Sequence, residues 1–164
     1  MTIADYKKII LDKIKEVLPS SFKKKGQVYE YSNGDLTYYI YLQSNKYSTS
    51  EQFIVNINIG IGSELLYKLE GKTITSHLRG HYNKRIGDYL IPSHDIWWTI
   101  TNNEDVHKAS SAIAQIINEN VLPEFDKIKS TQDLIDLWIN GMCFGLSEIE
   151  RQNYLVLLNK YFNY

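Results

Sequence analysis

Arg85 and Asp95 are the residues in this chain whose types and setting come closest to chemistry. Gly87, Pro92 and the pair Trp97-Trp98 surround them. A guanidinium on a strand beside a glycine presents planar, charge-assisted donors to a carboxylate or a phosphate. Asp95, Asp88 or an anionic ligand are its available partners. His94-Asp95 places an imidazole beside a carboxylate, the raw material of acid–base catalysis. Neighbours on an extended strand point to opposite sides, however, so Asp95 reads as a turn residue or as the partner of Arg85.

Other candidates fall short of a motif. His77 and His81, four apart, would share one helix face as a metal pair does, but no Glu-x-x-His pattern accompanies them and no metal is expected. Gly60-Ile61-Gly62-Ser63 is a fragment of a phosphate loop without the following Gly-Lys. Cys143, flanked by Met142 and Phe144, reads as a small buried hydrophobe, and Gly141 to Gly145 as a break between helices. Lys23-Lys24-Lys25 before Gly26 reads as a solvated turn. No catalytic residue and no cofactor follow from these residues.

The elements that must position Arg85 and Asp95 come from periodicity. Ile3, Tyr6, Ile10, Ile14 and Val17 predict an amphipathic helix over 3–18, opened by Thr2 with Asp5 and stopped by Pro19. The period then falls to two. Residues 28–31 lead through Asn33-Gly34, a strong hairpin signal, into a strand over 36–43. Phe53 to Ile61 is the cleanest strand, and 84–90 and 96–101 are two more. Residues 62–82 have mixed polarity and take no assignment. Beyond Asn102 the period returns to 3.6. One helix carries Val106, Ala109, Ile113, Ile116 and Ile117 and closes near Pro123. A second carries Leu134, Ile135, Trp138 and Met142. A third opens at the capping box Ser147–Glu150, with Leu155, Leu158, Tyr161 and Phe162 on its buried side.

This order predicts an α+β fold as one domain over 1–164: an antiparallel sheet of about five strands, with an N-terminal helix and a C-terminal group of helices packed on one face. The helix-covered side takes Leu36, Tyr38, Ile40, Leu42, Phe53, Val55, Ile57, Ile59, Ile86, Trp98 and Ile100. The other takes Tyr39, Tyr41, Gln43, Asn56, Asn58, Arg85, Trp97 and Thr99. Tyr, Trp and Arg are enriched at the energetic centres of interfaces, so this side is the candidate binding face, with Asp95 at its margin. Its alternative use is as a second small core under residues 62–82.

The totals narrow the function. A net charge of −1 argues against nucleic acid as the partner. No apolar run approaches a membrane span, the first residues lack the pattern of a signal peptide, and the single cysteine forms no intrachain disulfide. A cytoplasmic location is the expectation.

Five landmarks in order resemble the DUF4304 family of bacterial domains: Phe22-Lys23-Lys24-Lys25-Gly26, Gln43-Ser44, Phe53-Ile54-Val55-Asn56-Ile57, Arg85-Ile86-Gly87 and Asp95-Ile96-Trp97-Trp98. They span about residues 1–130. The resemblance implies a bacterial α+β domain and supplies no activity, cofactor or catalytic residue. Small cytosolic bacterial families of this kind include immunity proteins to toxins, an analogy of fold and context only. The sequence therefore points to a non-enzymatic module whose partner is another protein. The competing expectation is a small hydrolase or transferase for an anionic or nucleotide-like substrate, with Arg85 as anion clamp and Asp95 or His94 as acid–base group.

Overall fold

The computed structural model describes residues 1–73 and 79–163. Its longest strand, β4 (Phe53–Ser63), lies at the centre of a fully antiparallel sheet. On one side β4 pairs along its length with β3 (Leu36–Ser44), which continues to β2 (Val28–Ser32) and the short β1 (Lys23–Lys25). On the other side two short strands share its edge: β5 (Tyr82–Arg85) against Asn58–Ile61, and β6 (Trp98–Ile100) against Phe53–Val55. The expected hairpin at Asn33-Gly34 is present, with Gly34 at φ 92°, where glycine alone is at ease. The three lysines form strand β1 rather than a turn, and Gly26 (φ 61°) makes the reversal that follows.

Helices cover the face carrying Leu36, Tyr38, Ile40, Leu42, Phe53, Val55, Ile57, Ile59 and Ile61. α1 (Ile3–Val17) contributes Tyr6, Ile10, Leu11 and Ile14, and the Thr2–Asp5 capping box is formed. α3 (Asn103–Ile116) contributes Val106, Ala109 and Ile113. The helical run does not close at Pro123. A π-helical turn (Ile117–Val121) leads into α4 (Leu122–Lys127), with the proline in its first turn. Proline has no N–H to give, and the widened turn before it lets the chain bend on rather than stop. α5 (Thr131–Ile139) adds Leu134 and Trp138, and α6 (Glu148–Phe162) adds Leu158. Tyr161 and Phe162 are more than half exposed, contrary to the helical spacing. Phe162 lies along an open groove between α5 and α6, with no element over it among the described residues. Met142 is also exposed, beyond the end of α5. No helix among the described residues is long and apolar enough to cross a membrane.

Two departures matter for the site. The strand expected over 84–90 ends at Arg85, and Ile86–Tyr89 form a 3₁₀ turn. Asp88 causes this by accepting the Arg85 backbone N–H at 2.9 Å, which turns the chain off the sheet. The strand expected over 96–101 begins only at Trp98, so Trp97 sits at the end of a loop. The unassigned region begins with helix α2 (Glu64–Leu69), whose Tyr67 ring packs directly over Gly62. Gly62 shares a strand face with Asn56, Asn58 and Gly60, so α2 covers one end of the polar side.

Candidate binding groove

Between β5 and β6 the edge of β4 is left without a strand partner at Asn56 and Ile57. Unpaired backbone groups there would be costly, because that edge is buried. Asn56 repairs the gap from its own side chain: its Oδ1 accepts the N–H of Ile57 at 2.6 Å, and its Nδ2 donates to Asp95 Oδ1 at 3.1 Å. The other oxygen of Asp95 accepts from Arg85 Nη1 at 2.7 Å and from Trp97 Nε1 at 3.0 Å. The Arg85 guanidinium lies over the Trp97 ring, 5.4 Å from its centroid. Arg85, Asp95, Trp97 and Asn56 thus form one knot around a single carboxylate. Gly87 closes it from behind, since a Cβ there would collide with the carbonyl of His94. His94 itself is exposed, with Nδ1 at 2.9 Å from the Pro92 carbonyl, and does not engage Asp95.

The remaining candidates separate by depth. Tyr39 is buried against Gly60, and its hydroxyl has no hydrogen-bond partner among the described residues. Burial pushes the phenol up, so it stays neutral and keeps its proton as a donor. Tyr41 is exposed. Gln43 and Asn58 are half-buried and joined across the strands by Asn58 Nδ2 donating to Gln43 Oε1 at 2.7 Å. These four residues line a groove of about 1160 Å³ with Arg85 at its edge. The face is therefore covered by α2 at one end and open at the other.

Arg79, Asn83, Lys84, Phe144 and Gly145 also line the groove and were not among the sequence candidates. Asn83 was within reach of period-two reasoning, being two residues before Arg85 and opposite Gly60. Phe144 and Gly145 carried no local signal. They belong to the connection between α5 and α6, which runs along the outer edge of β5. Asn83 donates its backbone N–H to the Phe144 carbonyl at 2.9 Å, and Arg79 donates to the carbonyl of Gly145. Lys84 points to the helix side, where its ammonium meets Glu124 at 2.8 Å and lies 4.2–5.4 Å from the ring centroids of Phe144, Tyr89 and Tyr82.

The electrostatics of the groove are nearly balanced. Arg79 pairs with Glu150 at 2.9 Å, Lys84 with Glu124 and Arg85 with Asp95. Asp88 lines the groove without a cation in ion-pairing distance among the described residues. His81 belongs to the covered end. His77, its expected partner four residues earlier, lies outside the described residues. His81 is 1 % exposed; its Nδ1 accepts the Ser63 N–H at 2.9 Å, and Nε2 faces Glu70 at 3.1 Å. Both ring nitrogens are occupied, which fits a structural histidine. Cys143 is half-buried and packs against the core.

Fold and groove together define an α+β domain with one sheet face under helices and a polar, aromatic groove on the other. Residues 17–127 match the domain of unknown function DUF4304, and the chain belongs to that family. The matched region holds the six strands found among the described residues, while Phe144, Gly145, α5 and α6 lie beyond it. The searches of curated proteins and of solved structures each returned no match.

Proposed function

We propose that this domain is a non-enzymatic protein-binding module that receives its partner in the groove of Tyr41, Gln43, Asn58 and Arg85. The observation that carries this reading is the knot around Asp95. It fixes the plane of Arg85 on Trp97 and neutralises its charge, which leaves the rest of the guanidinium as a pre-organised set of N–H donors. Beside it stand a tyrosine ring and two amides, the side chains that give interfaces their anchors and adaptable hydrogen bonds. A toxin held in an immunity complex is one partner of this kind.

Among the described residues, the acid–base pair named for the enzymatic alternative is not assembled. Asp95 is committed to three donors, and His94 lies apart from it, so neither is placed to move a proton for a bound substrate. The test is affinity capture of a partner from the native host, followed by calorimetry with that partner purified. Tyr41→Ala and Arg85→Ala should each weaken binding by about tenfold or more while melting cooperatively. Unchanged affinity in both variants would remove this face as the site.

A further inference from the structure

The chemistry of the groove goes further than "protein partner", and the following rests on that reading. Each lining cation already has a carboxylate: Glu150 for Arg79, Glu124 for Lys84 and Asp95 for Arg85. A phosphate or a free carboxylate entering here would meet no uncompensated positive charge and would have to compete with Glu150 at Arg79 and Asp95 at Arg85, while Lys84 is held by Glu124 on the helix side. Asp88, exposed at the groove wall, is the charge left over. The local field therefore favours a cation over an anion.

The neutral groups point to amides. Asn58 and Gln43 bond to each other once, which leaves the Gln43 amide protons and the Asn58 carbonyl free for a ligand. Such a donor and acceptor side by side match a peptide group. Arg85 has further N–H donors on a guanidinium that Asp95 engages at one nitrogen, suited to backbone carbonyls.

We infer that the groove takes an extended polypeptide segment that brings a lysine or arginine to Asp88, with its backbone on Gln43, Asn58 and Arg85. The ligand is basic and peptidic, not a nucleotide or a phosphate.

The test is selection of short displayed peptides on the immobilised full chain. Calorimetric titration of the best binder follows, with ATP and inorganic phosphate titrated in parallel. The selected peptides should carry Lys or Arg. Their affinity should fall about fivefold in Asp88→Asn, in the range of a partly exposed ion pair, and at least about tenfold in Tyr41→Ala. Asparagine at position 88 keeps an acceptor for the Arg85 N–H, and a thermal melt checks that the variant folds. Acidic binders, no enrichment over a Tyr41→Ala control, or ATP or phosphate binding that Arg85→Ala removes would each overturn the inference. Binding lost in Tyr41→Ala but unchanged in Asp88→Asn overturns the basic-residue assignment and leaves the groove as a protein site. Binding unchanged in both overturns the groove itself.

Discussion

Asp95 Oδ2 lies 2.7 Å from Arg85 Nη1, and the same carboxylate group holds the buried amide of Asn56 through its other oxygen. The two contacts differ in worth. Arg85 and Asp95 are both more than two-fifths exposed at the side chain, so water and salt screen their pairing. Asn56 is fully buried, and removing its acceptor strands a polar group without water. Arg85→Ala should therefore cost no more than about 1 kcal/mol, whereas Asp95→Ala should cost about 1–3 kcal/mol. Urea denaturation of the two variants checks the order. Equal losses would mean that the ion pair, not the Asn56 contact, dominates.

Gly87 is required for space rather than for its backbone angles. A methyl group there meets the His94 carbonyl, so Gly87→Ala must push the 88–97 loop away from β4. The expected outcome is a loss of about 1–3 kcal/mol together with a change in Trp97 fluorescence, since the loop carries Asp95. Gly34→Ala is the contrasting case. Nothing lies within 4 Å of its Cβ, so only its positive φ is penalised, and Trp97 emission should not change.

Alternation made most of the sheet legible. It placed Tyr38, Ile40, Val55 and Ile57 in the core, because side-chain direction on a strand repeats every two residues whatever lies around it. It failed at Ile86–Tyr89, where a side-chain acceptor on Asp88 outweighs strand propensity. It also failed at Pro123, where a π turn absorbs the missing N–H. The groove was half legible. Tyr41, Gln43, Asn58 and Arg85 sit on strands, whereas Phe144 and Gly145 arrive from some sixty residues away through a backbone hydrogen bond to Asn83 that no local pattern encodes.

His81 makes stability sensitive to acid. Its Nδ1 must stay unprotonated to accept from Ser63, and burial holds its pKa below the ordinary 6.5, with Glu70 only partly opposing this. The unfolded chain therefore takes up the proton first on acidification. The contribution is fully present above pH 6.5 and is lost as pH falls from there through the folded-state value. The slope is at most about 1.4 kcal/mol per pH unit for one proton. Thermal melts between pH 7.5 and 5 should show this decline, and His81→Gln should flatten it. A decline unchanged in His81→Gln would assign the acid sensitivity to other groups.

Asp35 ties the hairpin turn to the C-terminal helices. Its carboxylate accepts from Thr131 N at 2.7 Å and Thr131 Oγ1 at 2.8 Å, while neighbouring Asn33 donates to the Lys129 carbonyl. Thr131 opens α5, so the carboxylate also faces the positive end of that helix. Asp35→Ala should cost about 1–3 kcal/mol. Hydrogen exchange should show the loss concentrated in α5. Uniform loss of protection across the sheet would contradict this local role.

Lys84 provides the converse of Arg85. Its side chain is 11 % exposed and that of Glu124 20 %, and the ammonium is packed against aromatic rings while Tyr89 donates to the other Glu124 oxygen at 2.7 Å. Deleting one partner of such a pair leaves a charge in a poorly solvated place, at a cost of about 3–5 kcal/mol. Lys84→Ala should therefore destabilise the fold several times more than Arg85→Ala, although both remove one ion pair. Lys84→Met combined with Glu124→Gln retains the apolar packing of the stem and removes the stranded charge, so it should recover much of the loss. Similar melting points for Lys84→Ala and Arg85→Ala would show that the aromatic surroundings add nothing to the pair. Recovery in the double variant would locate the penalty in the unpaired carboxylate of Glu124.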